Sequence, residues 1–169
     1  MQLNPQKILH CKQGEIIISA EKNTFISTIL GSCVSAFIID PFAKVGGINH
    51  FLLPDTHEKI VSIKYGINAM EQLINMLISN GARKEKMIAK LFGGATMIPG
   101  LSDIGKKNSD FAELYLKEEG ITYSGGSLGG NFARKIRASP STGIVQQMRI
   151  ERKINVLPSE LKTNNAFLF

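Results

Sequence analysis

Cys33 and His50 are the two side chains of this sequence that are best suited to nucleophilic chemistry. Cys33 follows Gly31 and Ser32 at the start of an apolar run, and such a small bend lets a substrate approach the backbone closely. The amides of Gly31 and Ser32 can point at a developing oxyanion, which makes both residues candidates for substrate contact. His50 lies in the next apolar run, and an adjacent imidazole promotes formation of the thiolate at neutral pH. These residues predict attack of a thiolate on a carbonyl carbon.

Two β-rich runs carry the pair, and their pairing register decides whether the thiol and the imidazole meet. The runs are Val34–Ile39, directly after Cys33, and Ile48–Leu53, which contains His50. In a hairpin, the position numbers of directly opposed residues have a constant sum. A sum of 83 sets Cys33 opposite His50, and a sum of 85 sets Ser35 opposite His50 with Cys33 diagonal on the same face. An even sum would place the two residues on opposite faces.

A third polar group should hold the imidazole in place. Ser27 and Thr28, on the approach to Cys33, both supply a hydroxyl, and the choice between them stays open. With such a group, the Cys33 thiolate attacks a carboxamide carbon and His50 gives a proton to the departing ammonia. Water activated by the same imidazole then hydrolyses the thioester. Lone cysteines are also common as small buried hydrophobic residues, so spacing alone does not distinguish a catalytic pair from a structural one.

The surrounding segments predict a mixed β-sheet with helices packed on it, an α/β or α+β layered fold. A helix is predicted over 64–80, ended by Gly81. Its apolar face comprises Ile67, Met70, Ile74, Leu77 and Ile78. A second helix is predicted to begin at a cap on Asn108 or Ser109 and to end at Gly120.

Further strands are predicted over short apolar runs, and a glycine-rich loop follows one of them. The strands cover 16–18, 87–92 and 121–123, the loop covers 125–130, and a hairpin joins 132–138 to 144–150. The chain of 169 residues fits one domain, which we assign to residues 1–157, with 158–169 as a C-terminal tail.

Composition excludes several classes of protein. The longest apolar stretches are too short to cross a bilayer, and the N-terminus lacks the pattern of a secretory signal, which predicts a cytoplasmic protein without membrane insertion. The two cysteines, Cys11 and Cys33, are expected to be thiols. His10, His50 and His57 show no paired spacing typical of zinc sites, so neither a metal nor another cofactor is expected.

The basic residues do not show the pattern expected of a nucleic-acid site, although the net charge is +6 and the isoelectric point about 9.4. They are scattered in small groups, and Trp is absent. A mildly basic surface suits an acidic protein partner better than DNA or RNA.

The motifs around Cys33 and His50 resemble the signature of the CheD family. The segments that carry the resemblance are Ser27–Val34 (STILGSCV) and Gly46–Pro54 (GGINHFLLP). The similarity continues along nearly the whole chain, through Ala89–Ala95, Ile104–Asn108 and Gly129–Asn131 with Arg134. Lys107 stands where the family usually has arginine, and Ser127 where it usually has aspartate.

Members of that family deamidate specific glutamines of bacterial chemoreceptors, using a cysteine, a histidine and a hydroxyl residue that is usually threonine. The resemblance implies Cys33 as nucleophile, His50 as general acid and base, and Thr28 or Ser27 as the hydroxyl residue. It implies a layered sandwich fold and, as protein substrate, the cytoplasmic helices of methyl-accepting chemotaxis receptors. Some members also bind the chemotaxis phosphatase CheC, so a CheC-type phosphatase is a candidate partner. The alternative function is a non-catalytic chemotaxis adaptor that binds such a phosphatase or a receptor.

Overall fold

The structure is a computed structural model and describes residues 5–100, 103–151 and 166–169. These residues form ten strands and two α-helices. The strands are β1 Lys7–His10, β2 Ile16–Ser19, β3 Thr24–Leu30, β4 Val34–Asp40, β5 Val45–Asn49, β6 Ile88–Gly93, β7 Thr122–Leu128, β8 Ala133–Ala138, β9 Val145–Ile150 and β10 Ala166–Leu168. The helices are α1 Lys59–Ser79 and α2 Ile104–Glu118.

The strands form two five-stranded mixed sheets. The outer sheet has the order β1-β3-β8-β9-β10, and the central sheet has the order β2-β5-β4-β6-β7. β1 runs parallel to β3, and β6 parallel to β7, while the other pairs are antiparallel. Both helices pack on the central sheet. The predicted layered sandwich of mixed sheet and helices is confirmed, with outer sheet, central sheet and helices as its three layers.

β4 lies at the middle of the central sheet, and all seven of its residues are buried. Val34, Ala36 and Ile38 belong to the core under the helices, whereas Phe37 and Ile39 belong to the core between the sheets. A strand covered on both faces needs apolar side chains on both, which explains why this run is nearly continuous rather than alternating.

The first helix is longer than its apolar pattern predicts. α1 begins at Lys59 rather than Lys64, and Gly81 follows it with φ of 96°. Ile78 is 44% exposed, so its placement on the buried face is wrong. Leu73 is fully buried instead and completes the stripe that packs on the central sheet.

The prediction of a cap at Asn108 or Ser109 is also wrong, because α2 begins at Ile104, after Asp103. Both polar residues lie inside the helix and are buried. Asn108 hydrogen-bonds to two other segments, and Ser109 donates to the carbonyl of Gly105. Their polar character serves buried contacts rather than the helix end.

The glycine-rich segment is largely strand rather than loop, since β7 continues to Leu128. It pairs in parallel with β6, and the register shifts between Ala89 and Leu91. A Cβ on Gly126 would lie 2.0 Å from the Leu91 carbonyl oxygen, so the close pairing of these strands requires glycine there.

The hairpin of β8 and β9 confirms the predicted pairing of those segments. The strand predicted over 48–53 is displaced, because β5 spans Val45–Asn49 and Phe51 adds only a bridge to Val34.

Of the predicted tail, residues 158–165 lie outside the described residues, and β10 pairs with β9. In the ranges that the structure describes, no helix is long and apolar enough to span a membrane.

Candidate active site

The hairpin register places Cys33 and His50 on one face of the central sheet. Phe37 is opposite Ile48 and Asp40 is opposite Val45, so the opposed positions sum to 85. The bridge between Val34 and Phe51 continues the same register to the site. The odd sum is confirmed, in the variant that leaves Cys33 diagonal to His50. Both residues therefore face the outer sheet.

The bend before Cys33 is fixed by hydrogen bonds from the end of β6. The Gly94 amide donates to the Cys33 carbonyl at 2.8 Å, and the Ala95 amide donates to the Gly31 carbonyl at 2.9 Å. A Cβ on Gly93 would lie 2.0 Å from the Cys33 carbonyl oxygen, so the two strands can approach this closely only with glycine at that position. The nucleophile candidate thus stands on a rigid backbone.

Asn108 joins the two halves of the site. Its Nδ2 donates to the Ser32 carbonyl at 2.8 Å, and its Oδ1 accepts from the Leu53 amide at 2.9 Å. Ser32 precedes Cys33, and Leu53 lies shortly after His50. One buried carboxamide therefore fixes the bend that carries the thiol relative to the segment that carries the imidazole.

His50 is oriented by Thr28. Thr28 Oγ1 lies 2.8 Å from His50 Nδ1 and 2.7 Å from the Cys11 carbonyl oxygen. A hydroxyl has one proton, and the carbonyl can only accept, so Thr28 donates to Cys11 and accepts from Nδ1–H. This tautomer leaves Nε2 of His50 unprotonated. Nε2 is buried and has no hydrogen-bond partner within the described part of the chain.

Ser27, the other hydroxyl candidate, points away from the imidazole. Its Oγ donates to the Ile136 carbonyl at 3.0 Å. Side chains alternate along β3, and Thr28 shares the parity of Ile26 and Leu30, which are fully buried between the sheets. The structure therefore brings Thr28, and not Ser27, to His50.

Burial shifts the pKa of both Cys33 and His50 towards the uncharged form. Burial raises the pKa of the Cys33 thiol above its ordinary value of 9.0. A hydrogen bond with the residue's own backbone lowers it by a smaller amount. Burial lowers the pKa of His50 below 6.5, and a hydrogen bond with the backbone of Cys11 raises it by a smaller amount. At neutral pH these directions correspond to a thiol and a neutral imidazole. The thiol donates to Gln13, and His50 Nε2 makes no hydrogen bond to it.

The second cysteine has a different environment. Cys11 is buried, its Sγ donates to the Glu15 carbonyl at 3.4 Å, and burial raises its pKa to about 12. A thiol of this kind is inert at neutral pH. Cys11 contributes its backbone carbonyl to the site rather than its side chain.

Sequence reasoning missed two site residues, Gln13 and Asn108. The Cys33 thiol donates to Gln13 Oε1 at 3.4 Å. For Gln13 the available signal was Gly14, which marks a turn; for Asn108 it was the family-like segment around it.

The comparisons with known proteins agree on one family. The family model for CheD chemotactic sensory transduction matches residues 52–149. A Cereibacter sphaeroides protein named "Probable chemoreceptor glutamine deamidase CheD" is 49% identical over 154 residues, which is 90% of this chain and 77% of that protein. A Caulobacter vibrioides protein of the same name is 46% identical over 142 residues, 82% of this chain and 76% of its own. The chain belongs to the CheD family.

The likeness to a solved structure is weaker. The Bacillus licheniformis hypothetical protein YfiH matches with a TM-score of 0.44 and 14% identity over 66% of this chain and 49% of its own.

Two residues differ from what is usual in the CheD family, and both contact other residues of this chain. Lys107 of α2 forms an exposed ion pair at 3.1 Å with Asp103, the residue that precedes the helix. Ser127 Oγ accepts a hydrogen bond of 2.7 Å from Arg134, whose side chain is fully buried. Neither contact involves Cys33 or His50.

Proposed function

We propose that the protein hydrolyses specific glutamine side chains on methyl-accepting chemotaxis receptors to glutamate and ammonia. The observation that carries the proposal is the hydrogen bond from His50 Nδ1–H to Thr28, which leaves Nε2 as a base on the face that carries Cys33. The names of the relatives support the substrate class.

The reaction begins with transfer of the thiol proton of Cys33 to His50 Nε2. The thiolate attacks the glutamine Cδ, and the carbonyl oxygen becomes an oxyanion, for which the backbone amides at Gly31, Ser32 and Cys33 are the candidate donors. The imidazolium then protonates the leaving nitrogen, the C–N bond breaks and ammonia departs. A thioester on Cys33 remains.

Water completes the reaction. His50 Nε2 takes a proton from the water as the oxygen attacks the thioester carbon, and the C–S bond breaks to release glutamate. The proton on Nε2 returns to the thiolate. Thr28 keeps the ring in one tautomer throughout, because its own proton stays committed to the Cys11 carbonyl.

Two cavities lie beside residues that flank the thiol and the imidazole, although Cys33 itself lines neither of them. One, of about 250 Å³, lies beside His50 and includes Tyr65, Asn68 and Gln72 of α1 in its lining. The other, of about 180 Å³, lies beside Ser32 and includes Met97 and Ile104. We propose that the receptor helix that carries the target glutamine lies against the lining of these two cavities. A substrate of this kind implies a cytoplasmic location.

The test uses the cytoplasmic helices of a receptor from the same organism and peptide mass spectrometry. Each deamidation adds about one mass unit to a glutamine-containing peptide and releases one ammonia. We expect Cys33→Ala and His50→Ala to abolish both signals. Cys11→Ala is the matched control, since it removes the other thiol but keeps the backbone carbonyl that Thr28 uses, and it should remain active.

Activity in Cys33→Ala would refute the proposed nucleophile. A non-catalytic adaptor would instead bind its partner without releasing ammonia, and Cys33→Ala would leave that binding intact. Binding of a CheC-type phosphatase remains a prediction from the family resemblance.

A further inference from the structure

Gln13 lies at the nucleophile although no part of the proposed mechanism uses it. It stands in a tight turn between β1 and β2, closed by the Glu15 amide donating to the Lys12 carbonyl at 3.0 Å. Gly14 follows it with φ of 85°, the conformation that glycine favours at this place in a turn. From this turn the Gln13 side chain reaches Cys33, whose Sγ donates to Oε1 at 3.4 Å.

The turn is bonded to the other two residues of the site. The Gly14 amide donates to the His50 carbonyl at 2.7 Å, and the His50 amide donates to the Glu15 carbonyl at 3.1 Å. On the other side of the turn, the Cys11 carbonyl accepts from Thr28. The backbone of Gln13 is thus fixed relative to His50 and Thr28, and its exposed side chain extends from that position to Cys33.

A carboxamide can serve both states of the sulfur. It has one acceptor oxygen and an NH₂ group with two donors. The thiol can donate to Oε1, as in the structure, whereas a thiolate can only accept. Rotation of the amide by half a turn about its last side-chain bond then presents Nε2–H to the sulfur, and hydrogen bonds to an ionised acceptor are stronger than neutral ones.

We propose that Gln13 is a further catalytic residue, whose Nε2–H donates to the Cys33 thiolate and then to the oxyanion formed on the substrate carbon. This inference rests on the proposed function. The oxyanion forms on a carbon bonded to Sγ, so a donor that reaches Sγ also reaches the neighbourhood of that oxygen. Gln13 would supply the side-chain donor, in addition to the backbone amides of the bend.

The same contact could instead mark Gln13 as a substrate of its own enzyme, but its geometry disfavours this. The sulfur approaches the amide oxygen as a hydrogen-bond donor, whereas attack requires approach to the carbon from above the amide plane. Self-deamidation would therefore need a different position of the side chain.

The experiment compares Gln13→Ala and Gln13→Glu with the wild-type protein. Glu has nearly the same shape but lacks the donor and adds a negative charge. Gln146→Glu makes the same chemical change at an exposed position of β9 and is the matched control. All variants, and the reference protein to which they are compared, carry Cys11→Ala, so that Cys33 is the one cysteine thiol measured.

Two readouts are used, and the first needs no receptor. The rate of Cys33 alkylation by iodoacetamide as a function of pH gives the midpoint of thiolate formation. We expect this midpoint to rise in Gln13→Ala and further in Gln13→Glu. On receptor helices, kcat should fall roughly 10²–10³-fold in Gln13→Ala, the usual effect of losing one oxyanion donor, with little change in KM. Gln146→Glu should match the wild-type protein in both.

An unchanged alkylation midpoint together with wild-type kcat in Gln13→Ala would overturn the assignment. So would a Cys33-dependent gain of about one mass unit at Gln13 in the wild-type protein, since that marks a substrate. Either result, with Cys33→Ala inactive on the receptor, leaves the proposed function standing. Activity in Cys33→Ala would remove the proposed function instead.

Discussion

Thr28 Oγ1 lies 2.8 Å from His50 Nδ1, and its single proton is committed to the Cys11 carbonyl at 2.7 Å. The hydroxyl therefore acts towards the imidazole as an acceptor, in the position that a carboxylate occupies in a serine-protease triad. Unlike a carboxylate, it does not stabilise the imidazolium by charge. Its effect is to fix the tautomer and the orientation of the ring.

This relationship predicts that Thr28→Val will lose activity. Valine keeps the shape and the burial but cannot accept from Nδ1–H, so the ring is free to adopt the other tautomer or to turn. We expect kcat on receptor helices to fall roughly 10–100-fold, with KM little changed. Thr28→Ser keeps the hydroxyl and should retain most of the activity.

Ser27→Ala is the matched control for that prediction. It removes the neighbouring hydroxyl, which bonds to Ile136, and should cost about 1 kcal/mol of unfolding free energy without a comparable loss of kcat. A larger loss of kcat in Ser27→Ala than in Thr28→Val would contradict the assignment of Thr28.

The pH dependence should show a thiol and a neutral imidazole in the resting site. Since burial lowers the pKa of His50, protonation removes the base only below pH 6.5, and kcat/KM should fall as the pH drops through that lowered pKa. Since burial raises the pKa of Cys33, its alkylation in the absence of substrate should keep rising up to and beyond pH 9.0.

Alkylation rates and deamidation rates measured across the same pH range check this together. A resting thiolate–imidazolium pair would give alkylation that is fast and nearly independent of pH around neutrality, and that result would exclude the neutral pair. His50→Ala provides the reference titration of the thiol without its partner.

Because strands alternate with a period of two, the sequence reduced the facing of Cys33 and His50 to one question, whether the opposed positions have an odd or an even sum. The structure answers it with 85. The sequence could not decide between Ser27 and Thr28, because β3 carries apolar residues at both odd and even positions. An apolar residue therefore did not mark the buried face, and Ile29 proves to be 58% exposed. Asn108 and Gln13 were missed for a different reason. Their partners are distant in the sequence, and neither Gly14 nor the family-like segment around Asn108 indicates which segment the side chain contacts.

Asn108 predicts a second loss of activity that does not involve the reacting atoms. Asn108→Asp keeps the acceptor for the Leu53 amide but replaces the donor to Ser32 with an oxygen that faces the carbonyl. We expect the unfolding free energy to fall by about 1–3 kcal/mol and kcat to fall by up to roughly 100-fold, as the bend moves relative to His50.

Ser109→Ala is the control on the same helix, because within the described residues the Ser109 hydroxyl donates to the Gly105 carbonyl of α2. Urea unfolding and receptor deamidation should show a smaller effect on both quantities than in Asn108→Asp. Equal effects in the two variants would mean that Asn108 supports the helix rather than the site.

Arg134 predicts a gain of stability from a single substitution. Its side chain is fully buried, and it donates to Ser127 and to the Gly129 carbonyl; no carboxylate forms an ion pair with it among the described residues. Burial, with a smaller effect of Arg149, lowers the pKa of Arg134 to about 10. The unpaired charge is therefore costly in the folded state.

Ser127→Asp would place a carboxylate where the Ser127 hydroxyl accepts from Arg134 at 2.7 Å. We expect the unfolding free energy to rise by about 1–2 kcal/mol, because a charge-assisted hydrogen bond replaces a weaker one. Ser127→Asn has nearly the same shape without the charge and should gain little. Urea denaturation at neutral pH measures both, and since the introduced carboxylate acts only when ionised, the gain of Ser127→Asp should disappear as the pH falls through the folded-state pKa of that carboxyl group. An aspartate variant no more stable than the asparagine variant would show that the cost of burying the carboxylate cancels the ion pair.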